Sequence, residues 1–200
     1  MGRLLNEQTE VSLLLSGPLV IGCMALTPVL LLALYSAEFA PAVSLLRWLL
    51  LGTVMRVASW VLGFMLLAQN NPALFLTTEA VGNALMLGLT WVLVRHAGLV
   101  GSGIAFFLGY LAYWVMMIMV ARRQIAFRFT PGSRGVLAAV LLPAAVAGLC
   151  HAVVPRPWDA ALVLALSVGT GLYSLNALAR LAPASAPARL WRRLRKRLGC

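Results

Sequence analysis

The chain has 200 residues, 62% of them apolar and only 10% charged, with a mean hydropathy of +0.94. That composition excludes an ordinary water-soluble domain, in which about a quarter of the residues are charged, and makes lipid the solvent for most of the chain. A net charge of +11 would suit nucleic acid, but the bases sit beside apolar segments rather than on a soluble surface with interleaved stacking aromatics, so no nucleic-acid partner is expected.

After a polar segment at 1–10, expected to lie in the cytoplasm, come six apolar stretches, each near the ~20 residues that an α-helix needs to cross ~30 Å of hydrocarbon. They run roughly from Val11 to Leu34, Val43 to Ala68, Pro72 to Val94, Leu99 to Val120, Gly135 to Val154 and Trp158 to Ala179. Unbroken apolar runs such as Leu30 to Leu34 and Val115 to Val120 do not fit the alternating pattern of a transmembrane β-barrel. The expected fold class is therefore all-α, a polytopic membrane bundle of about six transmembrane helices over 11–181, followed by a basic tail at 182–200.

The first stretch is too long for the core of a signal peptide and no clear small-residue cleavage site follows it, so it is expected to stay in the mature protein. Pro18 and Pro28, with Gly17 and Gly22, interrupt it, as Pro143 interrupts the fifth. Such breaks serve as hinges in transporters and are also tolerated in ordinary spans.

The second and third stretches carry ionisable residues where charge is costly, about 2.5 to 3.5 kcal/mol on insertion scales. At 100° per residue, Gly52, Arg56, Ser59 and Gly63 share one stripe of the second span, and Glu79, Asn83, Met86 and Thr90 share one of the third. Small and polar stripes turn toward other helices or a water-filled cavity. Gln69, Asn70, Asn71 and Pro72 make a tight turn, so the two spans are antiparallel neighbours. From that turn Arg56 is roughly 20 Å deep and Glu79 roughly 10 Å deep, at 1.5 Å per residue. Two readings stay open and are compatible: an Arg56 to Glu79 pair that orders the hairpin, or a role in binding substrate or a coupling ion. Arg47, near the outer end of its span, is expected to snorkel to the interface. Trp48, Trp91, Trp114 and Trp158 are expected to form aromatic belts, and Ala105 with Gly109 to serve helix packing.

Four arginines (Arg122, Arg123, Arg128, Arg134) lie between the fourth and fifth spans, and seven basic residues lie at or beyond the end of the sixth. The positive-inside rule puts both regions, and hence both termini, in the cytoplasm. In the tail, Arg192, Arg193, Arg195, Lys196 and Arg197 flank Leu190, Trp191, Leu194 and Leu198, a pattern for lying on an anionic leaflet, whether as a topology anchor or as a lipid-recognition element. Cys23 and Cys150 fall within spans and Cys200 is the last residue, so no disulfide framework, metal site or prenylation box is expected. The acids are Glu7, Glu10, Glu38, Glu79 and Asp159, and no two converge on a predicted site. Without a phosphate loop, nucleophile elbow or sugar-nucleotide motif, neither an enzyme nor a cofactor is expected.

One ordered set of residues carries a resemblance. Asn6-Glu7-Gln8-Thr9-Glu10-Val11, the run Leu34-Tyr35-Ser36-Ala37-Glu38-Phe39 with Ala42 and Leu46-Arg47-Trp48, then Gly52, Ser59-Trp60, Gly63-Phe64, Leu67-Ala68 and Glu79 resemble the O-antigen and polysaccharide flippases of the multidrug/oligosaccharidyl-lipid/polysaccharide exporter superfamily. The likeness covers about the first 130 residues. It implies a bacterial inner-membrane transporter that moves an undecaprenyl-diphosphate-linked oligosaccharide between leaflets by alternating access of two helical lobes. Arg56, with Ser59 and Asn83, is the implied substrate contact, and Glu79 the implied ion-coupling carboxylate. Relatives have about 12 to 14 spans, and a repeat-built transporter needs both halves to enclose its site. The chain would then be the carboxyl-terminal lobe, its amino-terminal half supplied by the same gene or a separate chain. The alternative is a non-transporting membrane scaffold or truncated remnant.

Overall fold

A computed structural model describes residues 1–34, 42–150 and 158–181. The described chain is helical and without strands: α1 (Gly2–Leu34), α2 (Ala42–Ala68), α3 (Pro72–Ile125), α4 (Pro131–Leu149) and α5 (Trp158–Leu181). All five are long and apolar enough to cross a membrane. Large apolar side chains are exposed along every one of them, among them Leu19, Phe64, Leu87, Leu142 and Leu172. Apolar surface spread over all sides of a molecule calls for lipid rather than water as its surroundings, and the chain is a multi-pass membrane protein.

Straight, the 54 residues of α3 would reach about 80 Å, well over twice the hydrocarbon thickness. Gly98 prevents this. Its backbone has φ 59° and ψ −142°, a combination essentially confined to glycine, and beyond it the chain runs back on itself. Gly101 touches the main chain at Leu93, Gly109 the side chain of Met86, and Tyr113 the backbone at Gly82; each pair lies at similar distances in sequence on either side of Gly98. The arms 72–97 and 99–125 are thus an antiparallel hairpin. The described residues form six membrane-length rods, and the break falls in the gap that hydropathy leaves between Val94 and Leu99.

The long α1 is the hub, in contact with α2, α4 and α5, while the α3 hairpin packs mainly on α2. Small residues set these approaches, as they must where lipid gives no hydrophobic drive for helix association. A Cβ on Gly17 would stand 2.6 Å from Val140, and one on Gly52 would stand 2.5 Å from Phe106 and 3.1 Å from the Cα of Phe107. Pro18 and Pro28 lie inside a continuous helix; the Pro18 carbonyl accepts the Ser167 hydroxyl at 2.9 Å, tying α1 to α5. The interior divides into two apolar groups, one built on α1, α2, α4 and Val163 of α5, the other on α2 and the second arm of α3 with Leu5 and Phe127.

Polar pins sit at both ends. At one, the Asn6 amide donates to the Arg128 carbonyl at 3.2 Å and accepts the Thr130 N–H at 3.0 Å, and the Ser133 hydroxyl lies 2.6 Å from both Asn6 Oδ1 and Glu10 Oε1. This network explains why α1 begins at Gly2, well before the apolar run at Val11: Asn6, Thr9 and Glu10 are buried in protein contacts. At the other end, Arg47 grips Asp159 with two hydrogen bonds, of 3.0 and 2.6 Å, and Cys150 Sγ donates to the same carboxylate at 3.0 Å. The expected snorkelling of Arg47 is overturned. Its side chain is fully buried, because a matched carboxylate within the bundle replaces the water it would otherwise reach for. Trp48 packs on Phe107 and Trp114 on Phe129, both half-buried, while Trp91 and Trp158 are exposed. The tail arginines and Lys196 lie outside the described residues.

Removing one partner of a buried pair leaves the other charge uncompensated. Asp159→Asn and Arg47→Leu should each lower the stability of the detergent-solubilised protein by about 3 to 5 kcal/mol, read as a fall in thermal unfolding midpoint, while Arg47→Leu/Asp159→Leu should recover part of the loss. Gly98→Ala should cost about 1 to 3 kcal/mol through backbone strain, and unchanged unfolding would count against the hairpin.

Candidate functional site

Four polar residues of the hairpin, Glu79, Asn83, Tyr110 and Tyr113, converge on one notch. Trp60 of α2, Glu79, Gly82, Asn83 and Met86 of the first arm, and Gly109, Tyr110 and Tyr113 of the second line a cavity of about 40 Å³. The glycines create it: Gly82 lets the Tyr113 ring lie against the first arm, and Gly109 does the same for Met86. The Tyr113 hydroxyl donates to Glu79 Oε1 at 2.5 Å, a short bond of the kind a carboxylate acceptor favours. Glu79 is half-buried and Asn83 is exposed, so the notch opens sideways from the hairpin. Its volume exceeds the ~10–15 Å³ that a single water requires.

Arg56 stands behind this notch. Its guanidinium lies 4.6 Å from the Trp60 ring centroid and 5.5 Å from that of Tyr110, both rings being walls of the cavity. Such contacts contribute about 0.5 to 2 kcal/mol each, depending on desolvation. The Nε of Arg56 is buried with no hydrogen-bond partner. Among the described residues no ion pair joins Arg56 to Glu79; the cation rests on aromatic faces and the carboxylate on a phenol. The hairpin-ordering pair anticipated from the sequence is absent from this conformation. The two charges instead flank one set of aromatic walls, each with bonding capacity unspent.

Of the other candidates, Asn83 lines the notch, but Ser59 does not. Ser59 is buried and its hydroxyl donates to the Arg56 carbonyl at 2.8 Å, so its proton is used within its own helix turn. The stripe Gly52, Arg56, Ser59, Gly63 does face inward: Gly52 meets Phe106, and Gly63 lies near Phe75 and Tyr113. Tyr110 and Tyr113 were not singled out by the sequence, and Trp60 entered only among the residues that carry the resemblance. Tyr113 could have been found by pairing residues across the Gly98 break, which sets it beside Gly82 and within one turn of Glu79.

The arrangement places a carboxylate held by a phenol beside a cation positioned by aromatic stacking. Tyr113→Phe removes the bond to Glu79 and should lower stability by about 1.5 to 3 kcal/mol, the range for a hydrogen bond to a charged group, with helical content unchanged in circular dichroism.

No family model, curated protein or solved structure matches the chain.

Proposed function

We propose that the chain is one helical lobe of a flippase that translocates an undecaprenyl-diphosphate-linked polysaccharide or O-antigen precursor across a bacterial inner membrane. In this reading both termini are cytoplasmic, no enzyme chemistry is involved, and the second lobe is supplied by further spans of the same polypeptide or by a separate chain. Arg56 attracts the diphosphate, Asn83 contacts it or the glycan, and Glu79, positioned by Tyr113, takes up the coupling ion.

The observation that carries the proposal is the unpaired state of Arg56 and Glu79 beside an open notch at membrane depth. A charge placed there for structure alone would be mutually neutralised, as Arg47 and Asp159 are. Ionisable residues left with spare bonding capacity in a span are the usual mark of a substrate or ion path. The orientation is supported by charge: Arg3, Arg122, Arg123, Arg128, Arg134 and Arg180 are exposed at one end of the bundle, against Arg95 at the other, among the described residues.

Complementation tests this. Expressed in a flippase-deficient bacterium, the chain should restore surface polysaccharide only together with the amino-terminal half of a relative. In that setting Arg56→Gln and Glu79→Gln should each reduce the signal roughly tenfold or more, the worth of a hydrogen bond to a charged group, at unchanged protein level. Full rescue by both variants would sink the assignment of these residues. No rescue with either arrangement, despite membrane insertion and a matched sugar, would favour the scaffold or remnant reading.

A further inference from the structure

At the end of the bundle where α3 finishes and α4 begins, a second cavity of about 620 Å³ is lined by Arg122, Ala126, Phe127, Arg128, Phe129 and Arg134. Its three guanidinium groups come from three places: the last turn of α3, the linker and the first turn of α4. All three arginines are exposed, and among the described residues the ion pairs are Arg3 with Glu7 and Arg47 with Asp159, so none of the three is neutralised. Of the described acids at this end, Glu7 pairs with Arg3 and Glu10 accepts the Ser133 hydroxyl. Neither forms an ion pair with the three arginines, and the lining itself, with three arginines and no acid, is positive.

The cavity has a fixed frame. Asn6 holds the linker through the Arg128 carbonyl and the Thr130 N–H. Phe127 is buried and packs edge-on against Phe129 with ring centroids 4.9 Å apart. Ala126 is held at φ 49° and ψ 37°, a left-handed conformation unfavourable for a residue with a Cβ, and this reversal lets Arg122 and Arg128 share one concavity. α4 contributes Arg134 from its first turn, while the positive end of its dipole is met by Glu10, which accepts the Ser133 hydroxyl.

The geometry points to a binding site for the phosphate headgroup of an anionic membrane lipid. Phosphate matches the fork of arginine, which can bind it bidentately. A lipid, rather than a solute, is argued from depth: the cavity lies where two membrane-length rods end, at the level of the headgroups. The site shares no lining residue with the notch around Glu79 and stands independently of the transport reading.

The test follows thermal unfolding of the purified full chain in neutral detergent as short-chain phosphatidylglycerol, phosphatidylcholine or inorganic pyrophosphate is added. Phosphatidylglycerol should raise the midpoint, and the other two should not. Arg122→Gln/Arg128→Gln/Arg134→Gln should need roughly tenfold more phosphatidylglycerol for the same rise, whereas Arg95→Gln/Arg123→Gln/Arg180→Gln, with the same loss of charge, should respond as wild type. If the first variant does not fold, its triple arginine-to-lysine counterpart, which keeps charge but loses the fork, should still bind several-fold more weakly. Equal weakening by both glutamine variants, or lysine replacement without effect, would overturn the site in favour of diffuse attraction. A pyrophosphate response matching that of phosphatidylglycerol would overturn the lipid assignment in favour of free phosphate.

Discussion

Charge buried in hydrocarbon has to be answered from within the protein, and the pair of Arg47 with Asp159 is the fullest answer this chain gives. Two parallel hydrogen bonds, with Cys150 as a further donor, fasten the start of α2 to the start of α5 and the end of α4. Those three elements all pack on α1, so the pair sets their register at this end of the bundle. Desolvating two ions is expensive, and a buried pair is weak evidence for net stability. Its value here is positional, since a shift of either helix would separate partners that no water could solvate.

Set beside that pair, the α3 hairpin handles charge differently. Arg56 is spread over two aromatic rings and Glu79 is held by one phenol, neither neutralised by the other. The same helix face that accommodates the hairpin through Gly52 and Gly63 thus also presents a cation to its side. Packing and polarity are combined on one stripe because only small residues let the second arm come close enough for Tyr110 and Tyr113 to reach α2. The notch is a by-product of glycines at Gly82 and Gly109, and its polarity comes from what surrounds them.

Much of this was legible in the residues. Six rods follow from apolar length, and the Gly98 reversal from a short interruption between Val94 and Leu99. The inward turn of Arg56 follows from its stripe, and the packing role of Ala105 and Gly109 from their spacing; both residues are buried. What escaped was partner choice. Arg47 and Asp159 are 112 residues apart, and nothing in either local segment says that α2 and α5 meet; opposite charges at matching depths were the available hint. The Arg56 to Glu79 pair looked reachable by depth alone, but side-chain direction decided otherwise, sending Arg56 along its own helix to Trp60. The helical start at Gly2 was hidden because Asn6 and Glu10 look like solvent-facing residues until Ser133 and Thr130 are placed beside them.

The separation of Arg47 from Asp159 along the chain also bears on how the protein is made. Chains enter the membrane from the amino terminus onward, so the guanidinium reaches the bilayer long before its carboxylate has been translated. Until α5 joins the bundle the arginine has no carboxylate to neutralise it. The pair thus acts as a latch that closes only when α5 docks, and a bundle lacking α5 is marked by an arginine without its counter-charge.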